Sequence, residues 1–86
     1  MGLVNQIYPQ ATFHAKVREY AVDLAANVSP RSLRVIKQQV YDAMFLTLAE
    51  SFEISEREML ESLRSDDFKE GVAHFVEKRS PVFTGR

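Results

Sequence analysis

The chain has 86 residues, of which 45% are hydrophobic and 27% charged, and its net charge is −1 at pH 7. That balance excludes wholesale disorder, and the missing basic surplus argues against a general nucleic-acid binder, because phosphate binding needs excess cations. With no cysteine, disulfides, thiolate zinc sites and a Cys nucleophile are excluded. No apolar run approaches a membrane span, and Met1-Gly2-Leu3-Val4-Asn5 lacks the basic start and long apolar stretch of a signal peptide. The expectation is a soluble, cytoplasmic helical domain with a marginal core, since a compact chain of this size buries about 64% of its unfolded surface.

Residues 3–8 read Leu-Val-Asn-Gln-Ile-Tyr before Pro9, a short β-branched run that predicts one strand ending at a turn. A lone strand has no partner, so it either frays or belongs to a sheet formed by absent sequence. Thr12 is the expected N-cap of the first helix, whose stripe runs through Phe13, Val17, Tyr20, Leu24 and Val28. Residues 31–70 contain neither glycine nor proline, which predicts helix throughout. Ser29 and Pro30 open the second helix as N-cap and first helical residue, and Leu33, Ile36, Val40 and Met44 form its stripe.

Thr47-Leu48-Ala49-Glu50 fits a capping box and predicts the start of a third helix. Its stripe is Leu48, Phe52, Met59, Leu60 and Leu63, with Ile54 off it. No breaker precedes Thr47, so one continuous helix over 30–64 is the alternative. Ser65-Asp66-Asp67 begins the last helix, where acids suit the positive helix end. Phe68, Val72, Phe75 and Val76 are its stripe, and it stops before Ser80-Pro81. The fold class expected is all-α, with three to four helices and a short N-terminal strand remnant.

Charge is unevenly placed. Residues 48–70 carry eight acids against three bases, whereas 71–86 carry Lys78, Arg79 and Arg86 against Glu77. The tail basic spot has two readings: cations complementing a helix C-terminus, or a phosphate site. Glu50, Glu53, Glu56, Glu58, Glu61 and Glu70 offer carboxylate pairs, but such pairs serve as acid and base only where their environments differ. A solvated helix face explains them more simply. His14 and His74 are far apart and neither has a second His at ligand spacing, so no metal site is expected. No glycine-rich loop cradles a phosphate, and no Ser-His-acid pattern is legible. Nothing read from the residues alone is catalytic.

Gly2-Leu3-Val4-Asn5, then Pro9, then Ser29-Pro30 with Lys37 seven residues on, resembles the late part of the enoyl-CoA hydratase/isomerase (crotonase) family. The strongest match is Asp66-Asp67-Phe68-Lys69-Glu70-Gly71-Val72-Ala73-His74-Phe75-Val76-Glu77-Lys78-Arg79-Ser80-Pro81-Val82-Phe83. The resemblance implies the C-terminal third of such a protein, with residues 1–10 the remnant of the last core strand and its turn, and 11–86 the helical oligomerisation and lid region. It implies a parent that acts on a CoA thioester with no other cofactor, as a homo-oligomer (trimer or hexamer). It assigns no catalytic residue here, since the two glutamates and the oxyanion segment belong to the core. It implies that Phe75 and Lys78 approach the adenine and phosphate of the CoA. Phe75 also lies on the apolar stripe, so core packing is expected of it as well. The alternatives from other classes are a stand-alone acyl-CoA-binding bundle, whose Tyr-Lys-Gln-Ala-Thr segment and tryptophans are missing, and a plain helical interaction module.

Overall fold

Three of the four helices begin where a side chain takes up a free N–H group of the first turn. In the computed structural model, which describes residues 1–86, four α-helices follow one another: α1 (Phe13–Asn27), α2 (Pro30–Asp42), α3 (Leu48–Arg64) and α4 (Asp66–Glu77). Ser29 Oγ accepts from the Ser32 N–H at 3.2 Å and caps α2, with Pro30 at its first position. The capping box of α3 is complete: Thr47 Oγ1 accepts from the Glu50 N–H at 3.2 Å, and the Glu50 carboxylate accepts from the Thr47 N–H at 2.8 Å. It separates α3 from α2, so the continuous helix does not form. The intervening turn closes with the Phe45 and Leu46 N–H groups on the Asp42 carbonyl, at 2.9 and 3.2 Å. Ser65 Oγ accepts from the Phe68 N–H at 3.0 Å and caps α4.

Two expectations at the N-terminal end change. Thr12 does precede α1, but its hydroxyl donates to the Pro9 carbonyl at 3.3 Å instead of capping. A short 3₁₀ turn (Gln10–Thr12) leads into the helix and orients it that way. Residues 3–8 form no strand. A strand needs a ladder partner, and none is within the chain.

The larger departure concerns the core. α3 packs on α2 and on α4, while α1 packs on little besides its own lead-in turn. The α2–α3 seam is mixed, with half-buried Val35 and Ile54 set among polar groups. Arg31, Ser32 and Gln39 face Ser55, Glu58 and Ser62 across it, and the Arg31 guanidinium donates to Ser62 Oγ and, at 3.2 Å, to Glu58. Ile36, Val40 and Met59 of the apolar stripes border this seam, yet all three stay more than half exposed, and no hydrophobic side chain is buried. Phe75, expected in part as a core residue, is 80% exposed, because nothing in the chain covers its face of α4. The accessible surface is 7482 Å², against about 5,200 Å² for a closed domain of this mass. The radius of gyration is 16.2 Å, against about 12 Å. The molecule is a slab of 45 × 38 × 18 Å.

The one buried residue is an acid. Asp67, 4% exposed, sits in the first turn of α4. Its carboxylate accepts from the Ser29 hydroxyl, from the Thr84 N–H at 2.8 Å and from the Gly85 N–H at 3.0 Å, and its own N–H donates to the Arg86 carbonyl at 2.8 Å. It thereby ties the start of α2, the start of α4 and the C-terminal tail together. Burial works to raise its pKa. Hydrogen bonds from Ser29 and from the backbone N–H groups of Thr84, Gly85 and Arg31 outweigh burial and hold it below 3.8.

Two outcomes follow from this architecture. Uncovered apolar patches above a few hundred Å² seek partners, so the 86-residue chain alone is expected to self-associate; a strictly monomeric light-scattering mass across the micromolar range would contradict this. Asp67→Asn in the full-length protein carrying this segment should cost about 2 kcal/mol, the scale of hydrogen bonds to a charged group. Because the folded pKa of Asp67 is depressed, its contribution is present above 3.8 and is lost as pH falls through the folded value. The gap in thermal midpoint between wild type and Asp67→Asn should therefore be full near neutrality and narrow below pH 3.8. A gap independent of pH would refute this assignment.

Candidate functional site

Helical periodicity divides α4 into two faces. Asp67, Glu70, Gly71 and His74 lie on one, and residues 79–86 run back across them. Phe68, Val72, Phe75 and Val76 lie on the other, all exposed. The tail is held at successive points. Glu70 accepts from the Val82 N–H at 2.8 Å and pairs through both oxygens with the Arg79 guanidinium, the Nη2–Oε2 contact being 2.8 Å. Phe83 reaches the helix where Gly71 leaves room: a Cβ there would meet its ring at 4.0 Å, an ordinary contact. The His74 ring stands edge-on to Phe83, with centroids 6.0 Å apart. His74 Nδ1 lies 3.2 Å from the Arg79 carbonyl. A carbonyl only accepts, so Nδ1 carries the proton when the ring is neutral.

The reversal from helix to tail happens at Lys78. It is left-handed (φ 54°, ψ 43°) and the only non-glycine residue with positive φ. Its N–H and that of Arg79, at 3.2 Å, both donate to the His74 carbonyl. For a side chain with a Cβ this conformation costs roughly 1–2 kcal/mol. Lys78 is exposed and forms neither an ion pair nor a side-chain hydrogen bond. Phe75 and Lys78 thus occupy the same end of α4, both accessible. They do not share a face by helical register, as i, i+3 spacing would predict, since the positive φ turns the Lys78 Cβ about a third of a turn from its helical direction.

Electrostatics set Arg79 apart from the other tail cations. The Arg79 fork, and next the Val82 N–H, hold the Glu70 pKa at about 2, so Glu70 is ionised at any ordinary pH. The Glu70 and Glu77 carboxylates raise Arg79 in turn. Of the three tail cations, Arg79 is neutralised locally, leaving Lys78 and Arg86 without acid partners.

The remaining candidates do not converge. No group of three His, Cys, Asp or Glu side chains could hold a metal. Glu50 caps α3, Glu58 pairs with Arg31 and Glu70 anchors the tail, so these three have positions more specific than a solvated face. A cleft of about 340 Å³ between α2, α3, α4 and the tail gathers Ser29, Ser32, Ser62, Ser65 and Asp67 with Phe83. It holds hydroxyls and one fully bonded carboxylate, with no histidine to activate a nucleophile. Sequence reasoning missed Asp67 as a junction and the Glu70–Arg79 clamp. Both join residues across a chain reversal, where no periodicity marks the partner.

The sequence profile of the enoyl-CoA hydratase/isomerase family matches residues 1–86. An enoyl-CoA hydratase of Mycobacterium tuberculosis is 31% identical over 86 residues, all of this chain but 32% of the relative. A trans-2-decenoyl-[acyl-carrier-protein] isomerase of Streptococcus mutans is 36% identical over 72 residues, covering 83% of this chain and 27% of that protein. Among solved structures, a probable enoyl-CoA hydratase/isomerase from Mycobacterium abscessus superposes with a TM-score of 0.89 at 29% identity, over 99% of this chain and 34% of that one. The chain spans about a third of the length of these relatives. Four helices in this order, the strapped tail and a match that runs the length of the sequence have one common explanation: the chain belongs to the enoyl-CoA hydratase/isomerase family.

Proposed function

We propose that this segment is the C-terminal assembly and lid region of an enoyl-CoA hydratase or isomerase. Its part in the reaction is binding, with Phe75 packing against the adenine and Lys78 pairing with a phosphate of the CoA ester. The observation that carries this reading is the end of α4. Phe75 is 80% exposed there, and three residues on stands an exposed cation with no acid partner. A closed acyl-CoA-binding bundle would need an interior, and this chain buries no apolar side chain. The uncovered stripes of α2, α3 and α4 fit packing against a core and neighbouring subunits. Chemistry would reside in that core, where donors preorganised around the thioester oxygen are each typically worth about 100- to 1000-fold in rate.

Two measurements test this. The 86-residue chain alone should not turn over crotonyl-CoA above a buffer blank, and turnover would overturn the division of labour. In the full-length protein, Lys78→Ala should weaken crotonyl-CoA binding about fivefold, the upper range for an exposed ion pair, with the effect shrinking as salt rises. The turnover number should stay nearly constant, because contacts equal in ground and transition states act on KM alone. A crotonyl thioester of N-acetylcysteamine, which lacks the nucleotide, should bind wild type and Lys78→Ala alike. Equal weakening of both substrates would remove Lys78 from the nucleotide.

A further inference from the structure

We propose that Glu70 is a positioning residue for the Lys78–phosphate contact, acting through Arg79; the inference rests on the CoA reading of Lys78. Residues other than glycine persist in the left-handed region only when their surroundings over-determine them. Around Lys78 those surroundings are complete. On the upstream side is the last turn of α4. On the downstream side, every polar group of Arg79 is engaged. Its N–H donates to the His74 carbonyl and its carbonyl faces His74 Nδ1, both at 3.2 Å, while its guanidinium is gripped by Glu70 and Glu77. Glu70 also takes the Val82 N–H at 2.8 Å, so the same carboxylate fixes the chain three residues further on. Lys78 is the one residue between two anchored segments, and its backbone has no freedom to relax toward a helical φ.

The clamp also determines which cation is free. Arg79 is adjacent to Lys78 and its planar fork pairs well with phosphate. Held by both oxygens of Glu70, it is removed from competition, and the available cation next to the helix end is an ammonium on a flexible stem. Glu70 thus fixes both the backbone direction of Lys78 and its lack of a rival.

The test uses a substitution that leaves net charge unchanged, so that a long-range charge effect does not mask the local one. In the full-length protein, Glu70→Gln combined with Arg79→Gln should raise the dissociation constant of crotonyl-CoA about threefold, within the range of exposed ion-pair effects, and leave the N-acetylcysteamine thioester unaffected. In a Lys78→Ala background the same pair of substitutions should add nothing. Arg79→Lys, a milder variant that keeps the charge and loses the fork, should shift crotonyl-CoA binding in the same direction. Turnover of the truncated thioester by each variant reports that the fold is intact. Equal weakening of both substrates would make the clamp merely structural and overturn the proposal, as would a full effect persisting without Lys78. If Lys78→Ala discriminates between the substrates and both clamp variants bind crotonyl-CoA like wild type, the positioning role alone is refuted. If Lys78→Ala does not discriminate, the CoA reading fails, and this proposal with it.

Discussion

One carboxylate organises this chain. Asp67 is the only residue the chain itself removes from solvent, and its bonds reach the cap of α2 and two consecutive N–H groups of the tail. In a domain with an apolar core, hydrophobic burial dictates which elements meet. Here that role falls to charge-assisted hydrogen bonds, which are directional and about twice as strong as neutral ones. A buried acid is tolerable only when its lone pairs are filled, and the tail fills them. The tail is therefore part of what holds the fold together, although most of its residues stay exposed.

The same logic runs along the α2–α3 seam. Arg31 spans it to Ser62 and Glu58, and half-buried serines and Gln39 share the rest with Val35, Leu46 and Ile54. Polar contacts give register and orientation while contributing little net stability, since buried pairs lose nearly as much solvation as they gain. The apolar stripes that would supply stability stay exposed on a slab 18 Å thick. Geometry and apolar surface are thus separated: polar bonds position the helices, and the stripes remain uncovered by the chain itself. That division agrees with a segment spanning about a third of its relatives.

Helix boundaries were legible because capping is local. Ser29-Pro30, the Thr47/Glu50 box and Ser65 each sit within four residues of the groups they satisfy, and each proved to be a cap. The stripes were legible as stripes, but what they pack against was not, since periodicity reports a face and says nothing of its partner. Thr12 misled because a hydroxyl can donate as readily as accept, and the 3₁₀ turn decided which. At the site, Phe75 and Lys78 came from family resemblance, and both prove accessible. The left-handed φ of Lys78 had no signal, as that position ordinarily takes glycine. Asp67–Gly85 and Glu70–Arg79 are pairings across 18 and nine residues of chain, set by where the reversal falls.

If Lys78 meets a CoA phosphate as proposed, local stability and binding stand in opposition at that residue. A glycine at that position would adopt φ 54° without strain and satisfy the same two N–H bonds to His74. Redesign guided by thermal stability alone would select glycine there, and asparagine after it, and would report an improvement. Each such gain removes the ammonium. Tolerance maps built on folding and on ligand capture should therefore diverge at this position more than at its neighbours, and an engineered variant of this segment has to hold residue 78 outside any stability optimisation.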